Sequence, residues 1–331
     1  MEKNAIEIKR CDKRESVGEF VKIRNGVNFM KTYVYRGGLS IVGKSGVGKA
    51  IEHQEKMLSA MHASHVDKWK DATVVHIFKN SFIGSNLAAP LFKKWICFCY
   101  NLGDVIVTPT EYSQKLLEGY GLKRKIYSIT NGVDTEFFKP DLEAGKRFRE
   151  KYHLAANQKV VISVGHLIQR KGILEFLELA KKMPDVQFIW FGGGNESLMT
   201  AEVKEAIQNK SENVFFAGFV EAEELRDAYC GADAFVFMSH EETEGIVVLE
   251  AFACEIPTIV RDIPVYGEWL ENGKQVFKAN AIDEFQEKLA EVFCQDVSEV
   301  KKAERKTACD KSLEKVGERL QRLYFEVEKG E

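Results

Sequence analysis

Two glutamates with seven residues between them, Glu242 and Glu250, stand in the most chemically suggestive stretch of the chain, SHEETEGIVVLEAFACEIP (239–257). Glu250 falls inside an apolar helix that Gly245 opens, among Val247, Val248, Leu249, Ala251 and Phe252. A carboxylate in such surroundings needs a partner, because burying an unpaired charge is costly. The vicinal diol of a ribose is one candidate, since it donates two hydrogen bonds to one carboxylate. Glu242 lies in the loop before the helix, within reach of a second group of hydroxyls. The plainer alternative is a helix acid favoured by the macrodipole together with a surface glutamate.

Upstream, HLIQRKG sets His166, Arg170 and Lys171 before a helix that starts near Gly172. Cations beside free backbone N–H groups suit a diphosphate, although a solvated basic turn has the same composition. Gly192, Gly193 and Gly194 follow an apolar run and permit close backbone approach to a ligand. A third glycine-rich run, Gly43 to Lys49, satisfies G-x-x-x-x-G-K, but Ala50 stands where a phosphate loop needs Ser or Thr to ligate magnesium. The better reading is a glycine-rich turn after the first strand, with Gly46 and Gly48 allowing a ligand to come close.

These groups must be held by something, and the apolar pattern says what. Strand-like runs occur at KTYVYRG (from Lys31), ATVVHIF (72–78), DVIVTPT (104–110) and KIYSIT (125–130). A clearer series follows at KVVISVG (159–165), VQFIWFG (186–192), NVFFAG (213–218), DAFVFMS (233–239), PTIVRD (257–262) and QVFKA (275–279). Helix-period segments follow most of them. Uniformly apolar strands alternating with helices predict a parallel sheet covered on both faces, and right-handed crossovers make it doubly wound. Such sheets bind ligands at the carboxyl ends of their strands, which is where the basic loop, the glycine triplet and the paired glutamates all fall.

The expected organisation is an extension over 1–29, a short Rossmann-like domain over 30–135, and a linker over 136–157. A second Rossmann-like domain spans 158–310. A final helix over 311–331, with Leu313, Val316, Leu320 and Leu323 on one face, crosses back to the first domain. Met30 is read as the natural start, because the first strand follows it directly.

Composition fits a folded protein, with 45% hydrophobic and 29% charged residues. No apolar run is long enough to cross a bilayer. Seven cysteines lack metal-ligand spacing and read as reduced cytosolic thiols. Residues 1–134 carry 21 Lys/Arg against 13 Asp/Glu, while 135–331 carry 26 against 37. The basic first half points to an anionic partner. Residues 82–100 mix Phe82, Leu87, Trp95, Ile96, Phe98 and Tyr100 with Lys93 and Lys94, a combination that suits the lipid headgroup layer and equally a buried packing helix. No nucleic-acid-binding module is recognisable.

Taken in order, Gly165, Lys171-Gly172, Gly192–Gly194, Gly218, Ser239, Glu242, Glu250-Ala251 and Pro257 resemble the large retaining glycosyltransferase family of GT-B fold that contains sucrose and glycogen synthases. Asn131-Gly132-Val133-Asp134 and Pro140 are similar to the segment closing that family's first domain. The resemblance covers roughly residues 100–295. Within the family, EETEGIVVLEAFAC, RDIPVYGEWL and NSFIGSNLAAPLFKKWICFCY resemble the diacylglycerol glucosyltransferases of low-GC Gram-positive bacteria.

The resemblance implies two Rossmann-like domains, the first of them shortened, and transfer of glucose from UDP-glucose to diacylglycerol with retention and without a metal. It implies that Lys171, helped by Arg170, neutralises the diphosphate and that Glu242 contacts the hexose. Glu250 would hold the ribose, and Thr243, Glu244, Gly245 and Ile246 would cradle sugar and phosphate. His166, which stands where the family usually has Arg, and Gly193 complete the donor side. Gly46 and Gly48 would approach donor and acceptor. His76 is the stand-in for an acceptor-side histidine, and Lys93, Lys94 and Trp95 would face an anionic membrane on its cytoplasmic side. Glu255 stands where the family usually has glycine. Three alternatives stay open: a cell-wall glycan or glycolipid acceptor, a P-loop NTPase, and a non-catalytic remnant that binds donor.

Overall fold

The computed structural model describes residues 20–21, 31–34, 46–60, 64–65, 74–76, 94, 97–98, 100–194 and 199–329. They fall into two units, Met1–Gly132 with Lys311–Glu331, and Val133–Asp310.

In the first unit β1 (Phe20–Val21) and β2 (Lys31–Val34) are followed by α1 (Gly46–Ala60), β3 (Ser64–His65) and β4 (Val74–His76). Then come β5 (Val105–Thr108), α2 (Glu111–Glu118) and β6 (Lys125–Ser128). β2 lies between β3 and β4 and is parallel to both. β5 pairs parallel with β6 and antiparallel with β1. All four expected strands of this half are present. β1 and β3 are two residues each, too short to leave a period in the sequence. Gly46 and Gly48 open α1 and do not form the expected turn. The first N–H groups of a helix have no intrahelical partner, so glycine costs little cooperative bonding there. Met30, the remainder of the 1–29 segment and Gly43 lie outside the described residues, as do Lys93 and Trp95.

The second unit runs α3 (Leu142–Lys151), β7 (Val160–Val164), α4 (Ile173–Lys182), β8 (Gln187–Phe191), α5 (Ala201–Gln208), β9 (Val214–Gly218), α6 (Ala222–Gly231) and β10 (Ala234–Phe237). It continues through α7 (Ile246–Ala253), β11 (Thr258–Arg261), β12 (Phe277–Ala279), α8 (Ile282–Cys294) and α9 (Ser298–Asp310). The sheet order is β12-β11-β10-β7-β8-β9, and every pair is parallel. Numbered within this unit, that is the 3-2-1-4-5-6 order of a doubly wound nucleotide-binding sheet. Its central strands β7, β8, β10 and β11 are largely buried because helices cover both faces; Phe176 of α4 meets Phe188 and Trp190 edge to face at 5.3 and 5.1 Å.

The segment expected as a linker, 136–157, contains α3 and belongs to this unit. Asp141 caps the helix by accepting from the Glu143 and Ala144 N–H groups. Phe148 is buried, and Gly145 abuts the backbone of Cys230 and Gly231. Its few apolar positions hid a helix that is anchored by close backbone packing.

Beyond Asp310 the chain belongs again to the first unit, as α10 (Leu313–Lys329). Val316, Leu320, Leu323 and Tyr324 are buried and Leu313 is half-buried, so the expected apolar face is the packed one. α10 packs on α1, from which the His53 ring Nδ1 lies 3.0 Å from the Gly132 carbonyl.

Candidate functional site

The order of the second sheet reverses between β7 and β10, and at such a switch point the two following loops diverge and leave a crevice. The loop after β7 carries His166, Arg170 and Lys171. The loop after β10 carries Glu241 to Gly245. The groups that the sequence placed 71 positions apart therefore meet.

Lys171 Nζ and Glu242 Oε1 form an ion pair, with side chains only 15% and 11% exposed. The ammonium also lies 5.4 Å from the centre of the Phe237 ring at the end of β10. Two further contacts tie the loops together. The Arg170 carbonyl accepts from the His240 N–H at 2.9 Å, and the Arg170 guanidinium donates to the Glu241 carbonyl at 2.6 Å. Gly172 makes the approach possible. Its φ of +79° is left-handed, and a Cβ there would collide with the Met238 carbonyl. His166 Nδ1 lies 3.1 Å from the Gly193 carbonyl, joining the first loop to the glycine triplet after β8.

Gly245 is the pivot of the second loop. With φ +85° and ψ +64° it turns the chain from the loop into α7. Thr243 is exposed, Glu244 and Ile246 are buried, and the Val248 N–H donates to the Gly245 carbonyl at 2.9 Å. Glu250, one turn on, is 1% exposed. Its Oε2 accepts a 3.2 Å hydrogen bond from the Tyr229 hydroxyl of α6. Burial pushes the Tyr229 hydroxyl well above its ordinary pKa, so it stays protonated and donates.

Sequence reasoning missed three groups here. Tyr229 lies 21 positions from Glu250, and no local spacing ties them. Tyr266, fully buried, places its hydroxyl against Gly245. Glu175 receives the Arg261 guanidinium at 3.1 Å and the His240 ring at 2.5 Å, which braces the loop that holds Glu242. Each depends on strands brought together by the sheet order.

The other expected site residues belong to the first unit. Gly46 and Gly48 begin α1, His76 ends β4, and Lys94 is exposed. Exposed apolar groups also occur there: Phe98 is 63% exposed, Leu102 49% and Leu116 51%. Among the described residues no helix is long and apolar enough to cross a membrane.

Residues 145–308 match the family described as glycosyl transferases group 1, and residues 53–137 match glycosyltransferase family 4. The chain is 36% identical over 327 residues to the processive diacylglycerol alpha-glucosyltransferase of Acholeplasma laidlawii, covering 90% of this chain and 98% of that one. The fold is similar to sucrose-phosphate synthase of Thermosynechococcus elongatus, with a TM-score of 0.66, 16% identity, and 92% and 75% of the two chains covered. It is also similar to the Anabaena protein HepE in complex with UDP and glucose, with a TM-score of 0.64, 18% identity, and 70% and 66% covered.

Proposed function

Because the chain belongs to the group 1 glycosyltransferases of GT-B fold, we propose that it transfers glucose from UDP-glucose to diacylglycerol with retention of configuration. The observation that carries this reading is the similarity along 98% of a relative named for that acceptor, joined to a cation and two carboxylates at the switch point of the second sheet. The similarity to known glycosyltransferases reaches both units of the chain, which weighs against a non-catalytic remnant. Membership of the family also removes the ground for a phosphate-loop NTPase.

Lys171, assisted by Arg170 at the loop edge, neutralises the donor diphosphate as the bond to the sugar breaks. Fixed charge aimed at a developing anion is the largest single catalytic term in many enzymes. The amino end of α7 adds N–H groups to the same task. Glu250 holds the ribose hydroxyls, and Glu242 holds the hexose once Lys171 has turned to phosphate. Thr243 to Ile246 form the cradle, and His166 and Gly193 bound it on the β8 side. His76 belongs to the acceptor side. Electrostatics of this kind requires neither a side-chain nucleophile nor a metal.

The acceptor is a lipid, so we place the enzyme on the cytoplasmic face of an anionic membrane. Support comes from Phe98, Leu102 and Leu116, exposed in the same stretch of chain as Lys94, Lys115, Lys123 and Arg124. Apolar side chains among lysines suit a headgroup layer. A second acceptor, an already glycosylated diacylglycerol, is favoured by the word processive in the relative's name.

A transfer assay without added metal tests all of this. Purified protein is given labelled UDP-glucose or UDP-galactose and anionic liposomes containing diacylglycerol. Labelled lipid from UDP-glucose, lost on Glu242→Ala and Glu250→Ala, is expected. Label only from UDP-galactose corrects the sugar. UDP binding without labelled lipid removes diacylglycerol as acceptor.

A further inference from the structure

Tyr266 ends the short turn Pro264–Tyr266 after β11 and is fully buried. Its backbone is satisfied, because the N–H donates to Ile263 and the carbonyl accepts from Leu270. Its ring packs edge to face on Trp269 at 5.9 Å. Its hydroxyl, by contrast, has no hydrogen-bond partner. Buried polar groups are nearly always paired, so this one needs an explanation.

The hydroxyl lies 2.5 Å from where a Cβ on Gly245 would stand. It therefore abuts the donor loop, three residues from Glu242 and one from Glu244. Burial, with these two carboxylates nearby, holds the phenol well above its ordinary pKa. It is a protonated donor facing a loop of acceptors. Glu242, the pivotal acid of that loop, is engaged by Lys171 in this structure.

We propose that Tyr266 is a positioning residue of the donor site: when an anionic diphosphate takes the Lys171 ammonium, the Glu242 carboxylate swings to accept from the Tyr266 hydroxyl. The inference rests on the donor reading above. A diphosphate that shares the Lys171 ammonium weakens its hold on Glu242, and a carboxylate with 11% exposure that loses part of its partner needs a further donor. Tyr266 holds one ready, and the exchange fixes Glu242 for the hexose.

Tyr266→Phe removes one oxygen and nothing else. The test measures the melting temperature of the free protein, the Kd of UDP and the kinetics with UDP-glucose, for wild type and variant. The free variant is expected to melt at the wild-type temperature or above it, since the lost hydroxyl bonded to nothing. UDP should bind about tenfold or more weakly, the size of one hydrogen bond to a charged group, and KM for UDP-glucose should rise with it. A variant that binds UDP as wild type does overturns the proposal. So does a variant whose free form melts several degrees lower, which would make the hydroxyl structural. If the wild type itself does not bind UDP, the donor reading fails and takes this inference with it.

Discussion

The hydroxyl of Tyr229 donates to Oε2 of Glu250 at 3.2 Å, with both side chains buried. The acid that the sequence left in search of a partner therefore has one within the protein, contributed by the neighbouring helix. Tyr229→Phe keeps the ring contacts with Phe138 and Phe235 and deletes only this donor. Loss of a hydrogen bond to a buried charge costs about 1.5–3 kcal/mol, and at this size each kcal/mol lowers the melting point by about 2–4 °C. The variant should melt lower and bind UDP more weakly. Calorimetry on the single variants and on Tyr229→Phe with Glu250→Gln should find the pair non-additive; additive losses would mean that the two groups act separately.

Gly245 admits no side chain for two reasons that an experiment can separate. Its φ is +85°, and the Tyr266 hydroxyl occupies the space a methyl would need. Gly245→Ala should cost about 1–3 kcal/mol from backbone strain alone and more from the collision. In a Tyr266→Phe background the nearest remaining atoms are ring carbons of Phe237 and residue 266 at 3.5 and 3.6 Å, so only the strain should remain. Urea unfolding of the four proteins measures the coupling, and equal costs in both backgrounds would show that the loop relaxes around the methyl.

The sheet of the second unit was legible because its strands are short, largely apolar runs and most of them are followed by a helix. Lys171, Glu242, Gly245 and Glu250 were legible because their order matches a family pattern. The partners were not. Tyr229, Tyr266, Glu175 and Arg261 reach these residues through sheet order and turn geometry, and neither leaves a mark on local spacing. α3 was missed for a different reason. It is held by an Asp141 cap, Phe148 and a glycine contact, so its apolar period is faint.

Glu304 of α9 is fully buried and accepts from the Thr258 N–H at 3.0 Å. Burial raises its carboxyl pKa well above the ordinary value. Between the unfolded value, about 4.3, and the raised folded value, the folded chain keeps a proton that the unfolded chain has shed. Stability from this group is therefore fully present at low pH and falls as pH rises through that window. Glu304→Gln keeps an acceptor for Thr258 and removes the titration. Urea midpoints from pH 5 to 8 should show the variant gaining on wild type as pH increases; a constant difference would mean that Glu304 ionises normally.

Glu255, noted in the sequence as standing where the family usually has glycine, follows α7 with φ +57°. A side chain in the left-handed region costs about 1–2 kcal/mol, and glycine removes that strain while adding about 0.5–1 kcal/mol of backbone entropy loss on folding. The difference favours glycine by up to about 1.5 kcal/mol. Glu255 also disfavours ionisation of the buried Glu304 carboxyl, so its removal relieves a second unfavourable contact as pH rises through the raised folded pKa of Glu304. Glu255→Gly should raise the melting point by about 1–4 °C, and the gain should be larger at pH 8 than at pH 5. The comparison with Glu255→Ala divides the two effects, since alanine removes the charge and retains the strained φ. If alanine stabilises as much as glycine, the backbone at this turn is unstrained and the charge alone accounts for the gain. If neither stabilises, the glutamate side chain makes a compensating contact in the folded protein, and the family's glycine at this turn is not a response to conformation.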